Sequence, residues 1–456
     1  MDVSTGGGGT VGEQALDARD VLARLGDRPG AGRLVAAAAE FDSHVFLVGG
    51  AVRDLMLERT PRELDVVVEG DASEFARLLG TPEAPVDPVE HPQFGTAVVE
   101  SDEVRIDVAR ARRESYPAPG ALPQVQPASI EEDMLRRDFT VNAIAVGLDG
   151  QGGQRARGEV VWHAVPGALE DLRAGRLRVL HDASFTDDPT RLLRLARYAA
   201  RLGFEIEPHT LALAAQAARE RALDTVSGGR IGAELRLALG ETDPVDALAV
   251  MDELGLLTAI HPRLRFDRAV IERSVELLPG DGRRDLLMMA ALTVALALRA
   301  DLGAHDPRAA SGHDPGSVVE PVARGGEIAA LLNRLEFPAC DRDRVASSAV
   351  AVPRLVSELP GATLPSQLLD VVKGAPLEGI ALAGGVDEAI AEPARRWLHA
   401  LRHIRLRITG EDLLTAGLSE GPDIGRRLDL ALRMKLDGAV ADGREAELSA
   451  ALEAEP

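Results

Sequence analysis

Short apolar runs broken by turn residues fill the first third of the chain, and longer helical periods fill the rest. Residues 17–25 and 31–42 space their apolar positions as helices do. Residues 45–48 are a continuous apolar run that ends in Gly49-Gly50, which suits a short buried strand. A short helix is predicted over 51–58, a second strand with β-branched bulk over 64–68, and a helix over 72–79. Two more strands are predicted at 97–100 and 104–108. This alternation describes a small domain of strands and helices ending near residue 150.

From residue 186 the period changes. Leu192, Leu193, Leu195, Ala196, Ala199, Ala200 and Leu202 follow a helical repeat. Further helices are predicted at 209–220, 230–240, 244–257, 265–278, 283–300, 325–335, 341–357, 365–374, 385–403, 410–416, 423–436 and 444–453. The segment 303–324 carries Gly, Pro, Ser, His and Asp without period and reads as a flexible linker or insertion.

Length and composition sharpen this picture. A chain of 456 residues is too long for one ordinary domain, so roughly two to four are expected. Hydrophobic residues make up 45% but aromatics only 3%, so Leu, Ala and Val carry the core and favour helices. Among the basic residues only Lys373 and Lys435 are lysine; almost every phosphate contact must therefore come from arginine. The formal net charge of −22 argues against a general polyanion binder, but arginines cluster at 105–113, 136–137 and 191–201. Such local patches, not the total, decide anion binding, which predicts a basic cleft on an acidic body. The lone cysteine, Cys340, excludes a disulfide framework within the chain. No run approaches 18 apolar residues and no charged-then-apolar leader opens the chain, so no membrane partner and a cytoplasmic location are expected.

Four constellations carry chemistry. In the first, Gly49-Gly50-Ala51-Val52-Arg53-Asp54 joins a strand to a helix; two glycines admit a polyanion close to the backbone, and Arg53 adds a charged fork. In the second, Glu63-Leu64-Asp65 sets two carboxylates on one strand face, with Asp107 placed similarly on a neighbouring strand. Carboxylates that close need a cation, and Mg²⁺ suits oxygen ligands and nucleotide phosphates. The third is Arg136-Arg137-Asp138-Phe139-Thr140-Val141-Asn142-Ala143, adjacent arginines ahead of an apolar helix. The fourth is Asp187-Asp188-Pro189-Thr190-Arg191-Leu192-Leu193-Arg194-Leu195-Ala196-Arg197. There Asp188, Arg191, Arg194 and Arg197 recur every third residue along one side of a helix. Carboxylate plus arginine is what reading a base edge requires. Alone, each has a plainer reading: a turn, a solvated strand edge, helix-end charge, a solvated basic stripe.

Together and in order, these motifs resemble the class II tRNA nucleotidyltransferase and bacterial poly(A) polymerase family, of the DNA polymerase beta-like superfamily. The resemblance runs on through His91-Pro92-Gln93-Phe94-Gly95-Thr96, the stretch 109–116 with Pro119-Gly120-Ala121-Leu122-Pro123, and Glu132-Asp133, to Gly203-Phe204. It is strong over 43–260. A weaker echo of the family's helical tail lies in Thr409-Gly410-Glu411-Asp412-Leu413-Leu414, Gly417, Gly421-Pro422 and Gly425. It implies an α+β fold: an extension at 1–30, a mixed-sheet catalytic head at 31–150, a helical neck at 151–260, and a helical, RNA-binding body and tail at 261–456. The reaction implied is transfer of CMP and AMP from CTP and ATP to the tRNA 3′ acceptor end, by two-metal phosphoryl transfer. Glu63 and Asp65 would hold Mg²⁺, with Asp107 beside them. Gly49, Gly50 and Arg53 would meet the triphosphate, and Arg136 and Asp138 the ribose and phosphates. Asp188 and Arg191 would select the base, steadied by Arg194 and Arg197.

The chain departs from the family in one important place. Glu63 stands where aspartate is usual, and one extra methylene moves a carboxylate by roughly 1 Å, a displacement that can cost about 10²-fold in rate. Asp187 replaces a frequent glutamate. His305-Asp306 and His313-Asp314 resemble the pairs of a metal phosphohydrolase domain, but their aperiodic segment makes them loop residues, and His261 reads as a helix end. The absence of a long basic tail favours tRNA over poly(A) synthesis. Addition of only CC or only A fits the same motifs, as does a silenced RNA-binding paralogue.

Overall fold

The computed structural model describes residues 18–80, 88–91, 95–100, 104–148, 162–297 and 321–454. Residues 1–10 of the N-terminal extension, residues 303–320 with both His-Asp pairs, and Pro92-Gln93-Phe94 lie outside these residues. The chain divides into two compact units. One is Met1–Ser227 with Leu254–Leu256; the other is Gly228–Glu253 with Leu257–Pro456.

The first unit is built on strands β1 (Val45–Val48), β2 (Leu64–Val68), β3 (Val89–His91), β4 (Thr96–Glu100) and β5 (Arg105–Arg110). Next come β6 (Arg112–Ser115) and β7 (Gln124–Pro127), then β8 (Ile144–Gly147) and β9 (Trp162–Ala164). Seven of these form one mixed sheet in the order β3-β4-β5-β2-β1-β8-β9, while β6 and β7 pair as a separate hairpin. Only β2 and β5 run parallel in the large sheet, and their register pairs Asp65 with Asp107. β1 lies inside the sheet between two antiparallel neighbours, and all four of its residues are buried. A strand buried on both faces reads as the unbroken apolar run seen in its sequence.

Helices α1 (Ala18–Gly26), α2 (Ala31–Glu40), α3 (Gly49–Met56), α4 (Ala72–Leu78) and α5 (Ile130–Leu135) belong to this unit, followed by α6 (Ala168–Ala174), α7 (Ser184–Asp187), α8 (Thr190–Leu202) and α9 (Pro208–Arg219). Arg24 of α1 donates to the carbonyl of Leu55 at 2.8 Å, which ties the N-terminal helix to the end of α3. Gly203, at φ +69°, ends α8 in the left-handed conformation that glycine adopts without strain.

Three expectations need correction. Arg136 and Arg137 do not precede an apolar helix: a 3₁₀ turn, Thr140–Asn142, leads into β8. A short apolar run buried on both faces has no period with which to tell strand from helix. The single helix expected at 244–257 is two, Pro244–Glu253 and Leu256–Ile260, split at Gly255 with φ +71°. A helix already begins at Pro321, inside the segment expected to be irregular.

The second unit is helical throughout its described residues. Its centre is a helix with no sequence forecast, Leu377–Val386, buried from Glu378 to Gly385. Glycines let neighbours touch its backbone: a Cβ at Gly379 would lie 3.0 Å from the Ser348 Cα, and one at Gly385 only 1.9 Å from the Ser274 Oγ. The buried Glu378 carboxylate accepts from Arg344 Nε and from the Arg283 backbone N–H, both at 2.8 Å. A smaller cluster around Ile408, Leu413, Ala431 and Ala451 closes the C-terminal end. Among the described residues no helix is long and apolar enough to cross a membrane.

Candidate active site

Three carboxylates converge at one end of the parallel pair. Glu63, Asp65 and Asp107 each offer an oxygen, and these oxygens lie within 4.8 Å of one another. The β2–β5 register brings the two aspartates level; Glu63 stands just ahead of β2 and is exposed. Burial, with the charge of Glu63 and Asp107 added, pushes the Asp65 carboxyl up to about 6, against the pull of Arg137 and Arg53. A divalent cation would reverse that balance, since hard oxygen donors held together in a partly desolvated pocket favour a small hard ion.

Arg105 meets the outer side of this cluster. Its Nε lies 2.9 Å from Asp107 Oδ1 and 3.7 Å from Glu63 Oε2, and its Nη1 lies 3.2 Å from Glu100 Oε1. It thus reaches the longer side chain at 63 and the aspartate on β5 at once. No motif flagged it individually, because a basic residue two before an acid on a strand is a common pairing.

The glycine turn lies against the same cluster. A Cβ on Gly50 would meet Asp65 Oδ2 at 3.6 Å. Gly49, at φ +63°, opens α3, and a Cβ there would come within 2.5 Å of Arg137 Nη1. Only a residue without a side chain suits both the backbone angle and that approach.

Arg53 does not reach outward. It is 1% exposed, donates from Nε and Nη2 to Asp54 Oδ1 at 2.9 and 2.7 Å, and donates from Nη1 to Asn142 Oδ1. The paired arginines are held by Asp133, fully buried, which accepts from Arg136 Nε at 2.9 Å and Arg137 Nη2 at 3.1 Å. Arg136 also donates to Glu114 at 3.0 Å. Burial alone would raise the Asp138 carboxyl, but the Arg194 charge and the Asn142 amide outweigh it and hold it at about 2. Arg194 donates to Asp138 Oδ2 from Nε at 2.9 Å and from Nη2 at 2.7 Å.

The arginine row of α8 turns inward, not to solvent. Arg191 and Arg197 are buried, and Arg191 donates to Ser184 Oγ and to the Arg136 carbonyl, both at 2.7 Å. Arg53, Arg194 and Arg197 lie 5.3, 5.4 and 4.8 Å from the centre of the Tyr198 ring. An aromatic face attracts cations, so the ring and Asp138 lower the repulsion that three aligned arginines would otherwise feel. Arg201, one turn on, reaches Asp54 Oδ2 at 3.0 Å. Asp188 Oδ1 accepts from the Thr190 backbone at 3.0 Å and its hydroxyl at 2.6 Å, which fixes the start of α8. Residues 53, 138, 191, 194 and 197 thus form one network joining α3, the 3₁₀ turn and α8. Asn142 and Tyr198, its two hubs, carry no charge pattern that a sequence reading could use.

Comparison with known proteins fits this architecture. The model of the poly(A) polymerase head domain matches residues 45–178, and that of the probable RNA and SrmB-binding site of polymerase A matches 203–267. An A-adding tRNA nucleotidyltransferase of Geobacter sulfurreducens is 33% identical over 414 residues, covering 88% of this chain. The chain spans only 44% of that relative's own length. A CC-adding tRNA nucleotidyltransferase of Deinococcus radiodurans is 32% identical over 418 residues, covering 91% of each chain. The apo form II of a CCA-adding enzyme superposes with a TM-score of 0.73 at 27% identity, over 94% of this chain and 97% of that one. The Thermotoga maritima CCA-adding enzyme complexed with tRNA-CCA gives a TM-score of 0.70 at 26% identity, over 95% and 98%. The chain therefore belongs to the family of tRNA nucleotidyltransferases and bacterial poly(A) polymerases.

Proposed function

We propose that this protein transfers CMP and AMP from CTP and ATP to the 3′ end of tRNA, building CCA. The observation that carries the reading is the Glu63–Asp65–Asp107 cluster set against the Gly49-Gly50 turn. Glu63 and Asp65, with Asp107 alongside, would hold Mg²⁺, whose positive charge would activate the RNA 3′-hydroxyl and neutralise the leaving pyrophosphate. The chain's own part is positioning. Gly50 would admit the triphosphate to the backbone, and Arg136, paired here with Asp133 and Glu114, would meet ribose and phosphate. Asp188 and Arg191 would present the base-selecting edge once Arg191 gives up its contacts to Ser184 Oγ and the Arg136 carbonyl. Arg53, Asp138, Arg194 and Arg197, all engaged internally, hold that edge at a fixed place relative to the carboxylates.

Addition of only part of CCA is the second reading, favoured by the A-adding and CC-adding names of the Geobacter and Deinococcus relatives. Three transcripts separate the two: tRNA ending before CCA, after C and after CC, each given Mg²⁺ with both CTP and ATP, one of the two labelled. Completion of CCA on all three supports the proposal. Stopping after CC, or acting only on the CC-ended transcript, selects the partial enzyme, and continued A addition selects a poly(A) polymerase. No incorporation by the wild type, but incorporation by Glu63→Asp, identifies a silenced RNA-binding relative.

A further inference from the structure

A cavity of about 560 Å³ opens in the second unit, beyond the residues matched by either family model. It lies where Pro365–Val372, Leu377–Val386 and Glu388–His399 meet the short turn Leu401–His403. That volume falls within the roughly 300–1,000 Å³ of small-molecule sites. Its floor is apolar, with Val372 and Ile380 buried. One wall is Trp397, half-buried and one of only two tryptophans in the chain.

The rim has the opposite sign to the rest of the protein. Lys373, His403 and Arg405 are exposed around it, and Lys373 is one of two lysines in a chain of net charge −22. Acids near the rim are already matched: Asp281 forks onto Arg402 at 2.6 and 2.9 Å, and Asp370 forks onto Arg433 with both contacts at 2.6 Å. An aromatic wall over an apolar floor takes a flat ring, and cations at the mouth take the phosphate joined to it.

We infer that this cavity binds a single unstacked nucleotide of the RNA substrate, its base against Trp397 and its phosphate against Lys373 and Arg405. The inference rests on the RNA-directed reading above and adds a contact remote in sequence from the catalytic carboxylates. Base stacking gives affinity without demanding one sequence, which suits an enzyme that must accept many tRNAs.

Trp162→Phe leaves Trp397 as the sole tryptophan, so its emission reports on the cavity directly. The expected result is saturable quenching by tRNA lacking CCA. The double variant Lys373→Glu/Arg405→Glu, in exposed positions, should bind that tRNA about 10-fold or more weakly. Its log Kd against log salt should be shallower by about 1, for the one phosphate the two cations share. A purely structural role would leave that slope unchanged. Saturation with tRNA without a change in Trp397 emission overturns the inference, and so does an unaltered Kd and slope in the double variant. Quenching by ATP alone that tRNA does not displace also overturns it, because the site then serves a free nucleotide. All of these readouts are binding measurements, so failure of nucleotide incorporation is a separate result bearing on the proposed reaction alone.

Discussion

Replacing Asp138 by alanine tests whether the network beneath the site is held by charge. A carboxyl lowered from 3.8 to about 2 contributes about 2 kcal/mol at neutral pH, at roughly 1.36 kcal/mol per unit. Truncation also takes from Arg194, whose side chain is 30% exposed, its carboxylate partner, and removes the acceptor of the Asn142 amide. Breaking a buried pair from one side costs about 3–5 kcal/mol, and the partial exposure of Arg194 places this case near about 3. The two tryptophans make the measurement local: Trp162 lies in the first unit and Trp397 in the second. In a Trp397→Phe background, urea unfolding followed by Trp162 emission reports on the unit containing the carboxylates. The sign with pH is fixed. The folded carboxyl is depressed, so its contribution is whole above the unfolded value near 4 and lost as pH falls through about 2. By pH 3 roughly half of the ionisation part should be gone. A loss below about 0.5 kcal/mol at pH 7, or a gap between wild type and variant that stays constant from pH 7 to 3, refutes the reasoning.

Three further outcomes are expected. Gly49→Ala should destabilise the first unit by about 1–2 kcal/mol, since φ +63° strains an L-residue and the new methyl meets Arg137; an unchanged urea midpoint by Trp162 emission argues against it. Mn²⁺ affinity, measured by calorimetry, should be level above pH 7 and fall about 10-fold per unit well below 6, because a carboxyl at about 6 must lose its proton to ligate; equal affinity at pH 5 and 8 contradicts this. Asp107→Ala should slow nucleotide incorporation by on the order of 10²-fold or more, since losing even an outer-shell partner of a metal costs about 10–100-fold; near-normal turnover removes Asp107 from the site.

What the sequence made legible follows from where its patterns are one-dimensional. β1 and β2 are apolar runs bounded by turns, and Pro208–Arg219 repeats every three to four residues, so these elements emerged near their true bounds. Leu377–Val386 escaped because it is buried on all sides: with no polar face it has no amphipathic period, and its glycines read as breaks. The Glu63 and Asp65 pair was readable because a two-residue spacing at the start of a strand is a local pattern, while Asp107 joins them through the β2–β5 register. The fate of Arg53 was not readable. Its position after two glycines suggests a phosphate contact, but Asn142, 89 residues away, and the ring of Tyr198 draw it inside. Which way a long charged side chain turns is a tertiary question.

The pairing of Asp65 with Asp107 across parallel strands has a consequence for how such a site can change. Ladder pairing is integral: a strand slides by whole residues, and a slip of one carries every side chain to the opposite face. The spacing of these two carboxylates therefore has no neighbouring values to sample. β5 is locked further by β4 on its other side, where Val98 pairs with the same Asp107. Changes in loop length around the sheet leave the two aspartates level so long as the ladder forms, and Glu63, just outside it, is the carboxylate of the three whose reach can be tuned in increments smaller than a residue.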